Sequence, residues 1–189
     1  MSAYMRDQFP FLGIPTPVRR QAVRGLLPRH VEREFVDALW ALPEREFQYV
    51  ACDHLRTVTL EPADADFLRR LVCTRSWWDT VDALARPVGR ACTPEHMREW
   101  ARDSSVWVRR VAVLHQLGRR EATDTDLLAE ILAGNLDSGE FFLDKAVGWA
   151  LREYSKTDPA WVRAFLGTHG VSALTRREGS KYLEPPGSR

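Results

Sequence analysis

Much that would betray a familiar enzyme is missing from this sequence. Its 189 residues hold no Gly-rich phosphate loop, no His-x-x-x-His pair, no Cys-x-x-Cys and no Gly-x-Ser-x-Gly elbow. The commonest nucleotide, zinc and serine-hydrolase readings are therefore removed. Cysteine is scarce: Cys52, Cys73 and Cys92 are an odd number, at spacings that match no metal or redox motif. Each falls in a mostly apolar helical context and is expected to be a buried free thiol in a reducing cytosol. No apolar run approaches the roughly 20 residues that a membrane span needs. Residues 1–10 carry no apolar core of a secretory signal, so a cytoplasmic protein is expected. No segment alternates with period two for long, and Asn-Gly and Asp-Gly hairpin turns are absent, which speaks against an all-β chain. Lysine is the last shortage. Only Lys145, Lys156 and Lys181 stand among the 27 basic residues, and the others are arginine.

What is present recurs at three and four. Phe35, Leu39 and Leu42 mark one such face, and Val111, Leu114 and Leu117 another. Prolines and glycines cut the chain into segments of helix length. Eleven helices are predicted, near 17–27, 30–41, 44–58, 63–73, 77–86, 94–102, 105–117, 124–134, 139–154, 158–168 and 171–183. Thr16, Asp64, Thr93 and Asp158 precede helix starts and are expected caps. Phe47, Trp107 and Phe142 each open a similar segment, 60 and 35 residues apart. That spacing is of the order expected for stacked HEAT-like helix pairs. The expected architecture is all-α, one domain over 1–183, with 184–189 as a frayed tail.

Net charge is only +1, yet the charges are sorted. Residues 1–30 carry five arginines against one aspartate, and 86–120 eight arginines against three acids. Residues 121–144 hold seven acids and no basic group. A solenoid with one positive face would show this pattern.

The stretch richest in chemistry is Ser76-Trp77-Trp78-Asp79-Thr80-Val81-Asp82. Helical spacing places Trp78 and Asp82 on one face and Trp77 and Val81 on another. An aromatic face beside a carboxylate suits a flat cationic ligand. The plainer alternative packs both tryptophans in the core and leaves both aspartates solvated. Arg109 and Arg110 lie within a helix otherwise built for packing. Trp149 follows Gly148 inside a helix, where glycine costs about 1 kcal/mol relative to alanine, so close packing on that face is expected. The apolar loop 8–14 is expected to pack under the first helices. His54 and His115 fall near helix ends, where a cation favours the helix dipole, and structural roles are expected for them.

Four motifs in order, Tyr4 to Ile14, Leu42 to Gln48, Ser76 to Asp82 and Lys145 to Tyr154, resemble the AlkD family of DNA alkylation repair glycosylases. The resemblance runs from Tyr4 to about Leu183. It implies a right-handed solenoid of HEAT-like antiparallel helix pairs whose basic concave face holds duplex DNA. It also implies hydrolysis of the N-glycosidic bond of cationic N3- and N7-alkylated purines, without a cofactor or metal. Carried over by motif, Asp82 is the catalytic carboxylate, Trp78 and Trp149 flank it, and Arg110 lies on the same face. Arg109, Lys145, Arg152 and Tyr4 are the further expected DNA contacts. No lysine belongs to the catalytic set, so neither a Schiff base nor strand cleavage is expected. A monomer acting on double-stranded DNA is the expected form. Asp79, on a different helical face, is expected to matter less than Asp82. The chain departs from the family pattern at two points: it starts almost at Tyr4, where members carry a further helix, and the stretch from Asp82 to Arg110 is short. A HEAT-repeat DNA-binding protein without chemistry is the alternative.

Overall fold

The structure, a computed structural model, describes residues 3–183. The expected frayed tail lies outside the described residues. Eleven α-helices and three short 3-10 turns make up the described chain, with no strand among them. The α-helices are α1 Thr16–Ala22, α2 Arg33–Ala41, α3 Arg45–Leu55, α4 Ala65–Cys73, α5 Trp78–Ala91 and α6 Pro94–Trp100. Then follow α7 Val106–Leu114, α8 Thr125–Ala133, α9 Phe141–Tyr154, α10 Pro159–Thr168 and α11 Ala173–Gly179. Each predicted segment holds one helix.

The helices gather into two compact units, Met1–Ala91 and Cys92–Arg189. In the first, α1, α3 and α5 pack in a row, with α2 against α3 and α4 against α5. In the second, α7, α9 and α11 form the row, with α6 and α8 beside α7 and α10 beside α9. The burial pattern explains the pairing. Helix α4 buries Phe67, Leu68, Leu71 and Val72, a single stripe at helical spacing. Each such side chain contributes about 1.5–3 kcal/mol when removed from water.

Tertiary hydrogen bonds disclose the repeat directly, because they join residues a nearly constant distance apart in sequence. Trp40 Nε1 donates to the Thr74 carbonyl, 34 residues on. Arg90 reaches the Leu55 carbonyl at a separation of 35, and Asn135 that of Ala101 at 34. Trp107 and Phe142, the aromatics 35 residues apart in sequence, sit with ring centroids 5.2 Å apart. Within each unit, neighbouring repeats thus meet through matching positions.

Several local expectations need correction. Pro87 does not end α5, which runs on to Ala91. Proline cannot donate to the carbonyl four residues back, but Pro87, Val88, Gly89 and Ala91 are all buried, which offsets that loss. Thr93 and Asp158 do cap, accepting from the His96 and Trp161 amides. Thr16 instead lies inside α1, and Asp64 accepts from the Glu61 amide and pairs with Arg33. Of the three free cysteines only Cys52 is buried, while Cys73 is exposed. Burial pushes the Cys52 thiol up to about 12.

The loop 8–14 is held by polar contacts rather than by burial of its side chains. Leu12 and Ile14 remain 50% and 38% exposed. The amides of Leu12, Gly13 and Ile14 all donate to the buried Glu46 carboxylate, at 2.9–3.2 Å. Gly13 allows this curl of amides by taking φ 77°.

Candidate active site

In the first unit the site grows from the N-terminus of α5. Its first turn holds Trp78 and Asp79, and Asp82 lies one turn further on. The two aspartates have different fates. Asp79 receives both prongs of the Arg45 guanidinium, at 2.9 and 2.6 Å, and the Tyr49 hydroxyl at 2.7 Å. Arg45 is fully buried and also donates to Thr80 Oγ1 at 2.8 Å and to the Arg75 carbonyl at 2.9 Å. Its cationic carbon lies 3.8 Å from the Phe9 ring centroid, a cation–π contact. Burial, reinforced by the bond to Asp79, drives the Tyr49 phenol well above its ordinary range, so it stays a neutral donor.

Asp79 is therefore neither solvated nor available: it is one half of a buried ion pair. Asp82 is half-buried. Trp77 and Trp78 are likewise half-buried, so neither is a full core residue. Tyr4, 72% exposed, meets Trp78 edge to face with centroids 5.8 Å apart. Tyr4, Trp78 and Asp82 are the predicted residues that this unit carries, and Tyr4 and Trp78 are in contact.

The second unit carries the others, all on α7 and α9. Arg110 is buried and donates to the backbone carbonyl of Phe142, joining α7 to the start of α9. Arg109 is half-buried and bonds Asn135 Oδ1 at 2.8 Å. The two arginines are thus not a solvated pair. Phe141, Lys145, Trp149 and Arg152 follow one another along one face of α9. Lys145 is exposed, with its ammonium 5.6 Å from the Phe141 centroid. Arg152 is tied to Glu178 at 2.5 Å, and Trp149 is half-buried.

Gly148 shows why α9 is oriented this way. A Cβ there would lie 2.6 Å from Glu178 Cβ and 3.1 Å from the Thr175 carbonyl oxygen. The close packing expected at this glycine is that of α11. Thr175 Oγ1 bonds the Asp144 carbonyl at 2.9 Å at the same crossing. No group of three or more metal-ligating side chains occurs among the described residues, and none of their helices is long and apolar enough to cross a membrane.

The Arg45–Asp79–Tyr49 network is the feature that sequence reasoning missed. Its one visible signal is that Arg45 and Tyr49 share a helical face at i and i+4.

The helical fold is HEAT-like. AlkD2 from Streptococcus mutans shares it with a TM-score of 0.72 at 15% identity, covering 97% of each chain. The smu.31 protein of Streptococcus mutans UA159 does so with a TM-score of 0.70 at 16% identity, covering 88% of this chain and 92% of that one. A structure described as a predicted DNA alkylation repair enzyme from Enterococcus faecalis is 36% identical, with a TM-score of 0.87. It covers 97% of this chain and 92% of its own. None of the curated proteins matches. The family model for the DNA alkylation repair enzyme matches residues 1–183, and the chain belongs to that family.

Proposed function

We propose that this protein is a DNA glycosylase that hydrolyses the N-glycosidic bond of cationic N3- and N7-alkylated purines in duplex DNA. The observation that carries the reading is the sorting of carboxylates on α5: Asp79 is consumed by Arg45, whereas Asp82 is half-buried one turn beyond Trp78. A purine alkylated at N3 or N7 is already cationic and departs neutral, so no general acid is required. The barrier is lowered by stabilising positive charge as it grows on the deoxyribose and by activating a water. One carboxylate, Asp82, performs both tasks, the first electrostatically and the second as general base. Trp78, on the same face of α5 as Asp82, holds the sugar beside it and shares in cation–π stabilisation, and Trp149 is the aromatic that α9 offers to the DNA.

Tyr4 and Lys145 are the exposed DNA contacts in this reading. Arg109, Arg110 and Arg152, each already bonded within its unit, act by shaping the surface around them. The protein works as a cytoplasmic monomer without metal or cofactor, and leaves an intact strand bearing an abasic site. The test is release of 3-methyladenine and 7-methylguanine from methylated duplex DNA. Release without strand breakage before alkali treatment is the expected result. Tight binding with no release would make it a non-catalytic DNA-binding protein, and borohydride trapping of a covalent adduct would redirect attention to Lys145.

A further inference from the structure

Away from α5, the first unit contains an open hollow of about 410 Å³ lined by Arg20, Arg24, Arg56, Asp53, Gly25 and Thr57, among others. It lies where the segment after α1 meets the C-terminal end of α3. Gly25, with φ 80°, turns the chain there. Three arginines face one carboxylate, and that carboxylate is already spent. Arg20 grips Asp53 with its fork at 2.8–3.2 Å, and the buried Arg19 adds a bond at 3.0 Å. Burial alone would raise the Asp53 carboxyl, but these arginine bonds outweigh it and hold the group below its ordinary range.

Arg24 and Arg56 are a different case. Both are exposed, and neither guanidinium has a hydrogen bond or ion pair among the described residues. Arginines near helix ends are commonly explained as caps on the last carbonyls. Here other groups do that work: Arg90 bonds the Leu55 carbonyl at the end of α3, and the Val23 amide closes α1 onto the Arg19 carbonyl. A second open hollow offers the contrast. Its lining of Glu95, Glu99, Asp103, Arg98 and Arg102 has acids in excess, and both arginines pair with Glu130.

We infer that the hollow formed by Arg20, Arg24 and Arg56 is an anion site for the phosphodiester backbone of duplex DNA. Two uncommitted guanidinium forks beside a neutralised aspartate match phosphate oxygens in charge and in planar donor geometry. The inference rests on the reading that the protein acts on duplex DNA. It extends the nucleic-acid contact to arginines that belong to no carried-over motif.

The experiment uses the full chain with undamaged duplex, followed by fluorescence anisotropy across a salt series. The double variant Arg24→Gln/Arg56→Gln is expected to make the slope of log K against log salt shallower by about 1.8, or 0.9 per lost phosphate contact. If binding is equal at 1 M salt, that slope change corresponds to binding about 60-fold weaker at 0.1 M. The Arg24→Lys/Arg56→Lys pair should keep the slope, and Arg98→Gln/Arg102→Gln should leave it unchanged. A wild-type slope in the Gln pair overturns the inference, as does an equal fall in the Arg98/Arg102 control. Each single Gln variant, expected to lose about half as much slope, decides the matter should the double variant fold poorly. Failure of the wild-type protein to release alkylated purines would count against the glycosylase reading alone, since undamaged duplex reports on binding only.

Discussion

Helices α5 and α9 are both 14 residues long, and each carries one of the two candidate tryptophans, yet they are fixed in place by opposite means. Helix α5 is locked by charge, through the buried Arg45–Asp79 pair at its first turn. Helix α9 is locked by shape, through Gly148 lying against α11. The difference bears on the chemistry of each face. An ionic lock draws on a carboxylate, and by taking Asp79 it separates that residue from Asp82, though the two stand three apart. The contact at Gly148 draws on no charge, and of the face that carries Lys145 and Trp149 it is Arg152 that pairs with α11, through Glu178, while Lys145 stays exposed. Buried ion pairs are weak evidence for net stability, since desolvation offsets much of the attraction. Here the pair is better understood as a device that fixes where α5 begins.

The largest expected effect comes from breaking the ionic lock. Asp79→Asn leaves the guanidinium of Arg45 buried without its counter-charge, a change that costs about 3–5 kcal/mol in comparable settings. Urea denaturation should show it as a lower midpoint. The double variant Arg45→Met/Asp79→Asn should recover much of the loss, because the uncompensated charge is gone. A loss under about 1 kcal/mol for Asp79→Asn would mean that the lock does not hold α5.

Asp82→Asn should show the reverse pattern. The change should fall on the chemistry: excision of 7-methylguanine drops by about 10²–10³-fold, as when one electrostatic group is removed from a transition state. DNA affinity should be unchanged or higher, because a carboxylate near phosphates is repulsive in the ground state. Single-turnover excision with parallel binding measurements separates the two. Equal loss of excision in properly folded Asp79→Asn and Asp82→Asn would erase the distinction between the carboxylates.

The histidines extend the comparison to the two units. His54, at the end of α3, and His115, just after α7, are both buried. Burial lowers both pKa values, and that of His115 to about 4. Each is therefore neutral near pH 7 and does not act as a cation on the helix dipole. The His115 Nδ1–H donates to the Ala112 carbonyl at 2.6 Å, whereas neither ring nitrogen of His54 has a hydrogen-bond partner among the described residues. In the unfolded chain a histidine takes its proton near pH 6.5. As pH falls below that value, the unfolded state binds a proton that folded His115 refuses until about pH 4. The resulting loss, complete by pH 4, is about 3 kcal/mol. Replacing His115 with Gln should flatten urea stability between pH 6.5 and 4. An equally steep profile in the variant would assign the acid sensitivity elsewhere.

The eleven helices were legible because their apolar faces repeat at three and four and their breakers stand between them. Helix ends were less so: Pro87 reads as a stop, and only the burial of Val88 and Ala91 explains why α5 continues. The site residues could be read as far as spacing along one helix carries. Trp78 and Asp82 share a face, and Gly148 marks a close crossing. Partners one repeat away could not be read. Arg45 and Asp79 are 34 residues apart, and pairing them requires the register in which α3 stacks on α5. The same gap hides that Arg110 is bonded to the Phe142 carbonyl, 32 residues on.

The smallest expected effect tests the steric lock. Alanine in place of Gly148 favours the helix by about 1 kcal/mol through propensity alone. Against that, its Cβ would stand 2.6 Å from Glu178 Cβ and 3.1 Å from the backbone oxygen of Thr175. Glu178 cannot simply swing away, because its carboxylate pairs with Arg152 at 2.5 Å and Lys181 at 3.1 Å. Helix α11 must shift as a body, and overpacking of this kind typically costs about 1–3 kcal/mol. The two terms together leave a net loss of about 0–2 kcal/mol. The shift would also strain the Thr175 bond to the Asp144 carbonyl, so amide exchange should quicken in α11 and leave α5 untouched. A Gly148→Ala variant as stable as the parent, with unchanged exchange in α11, would show that the crossing yields and that shape does not fix α9.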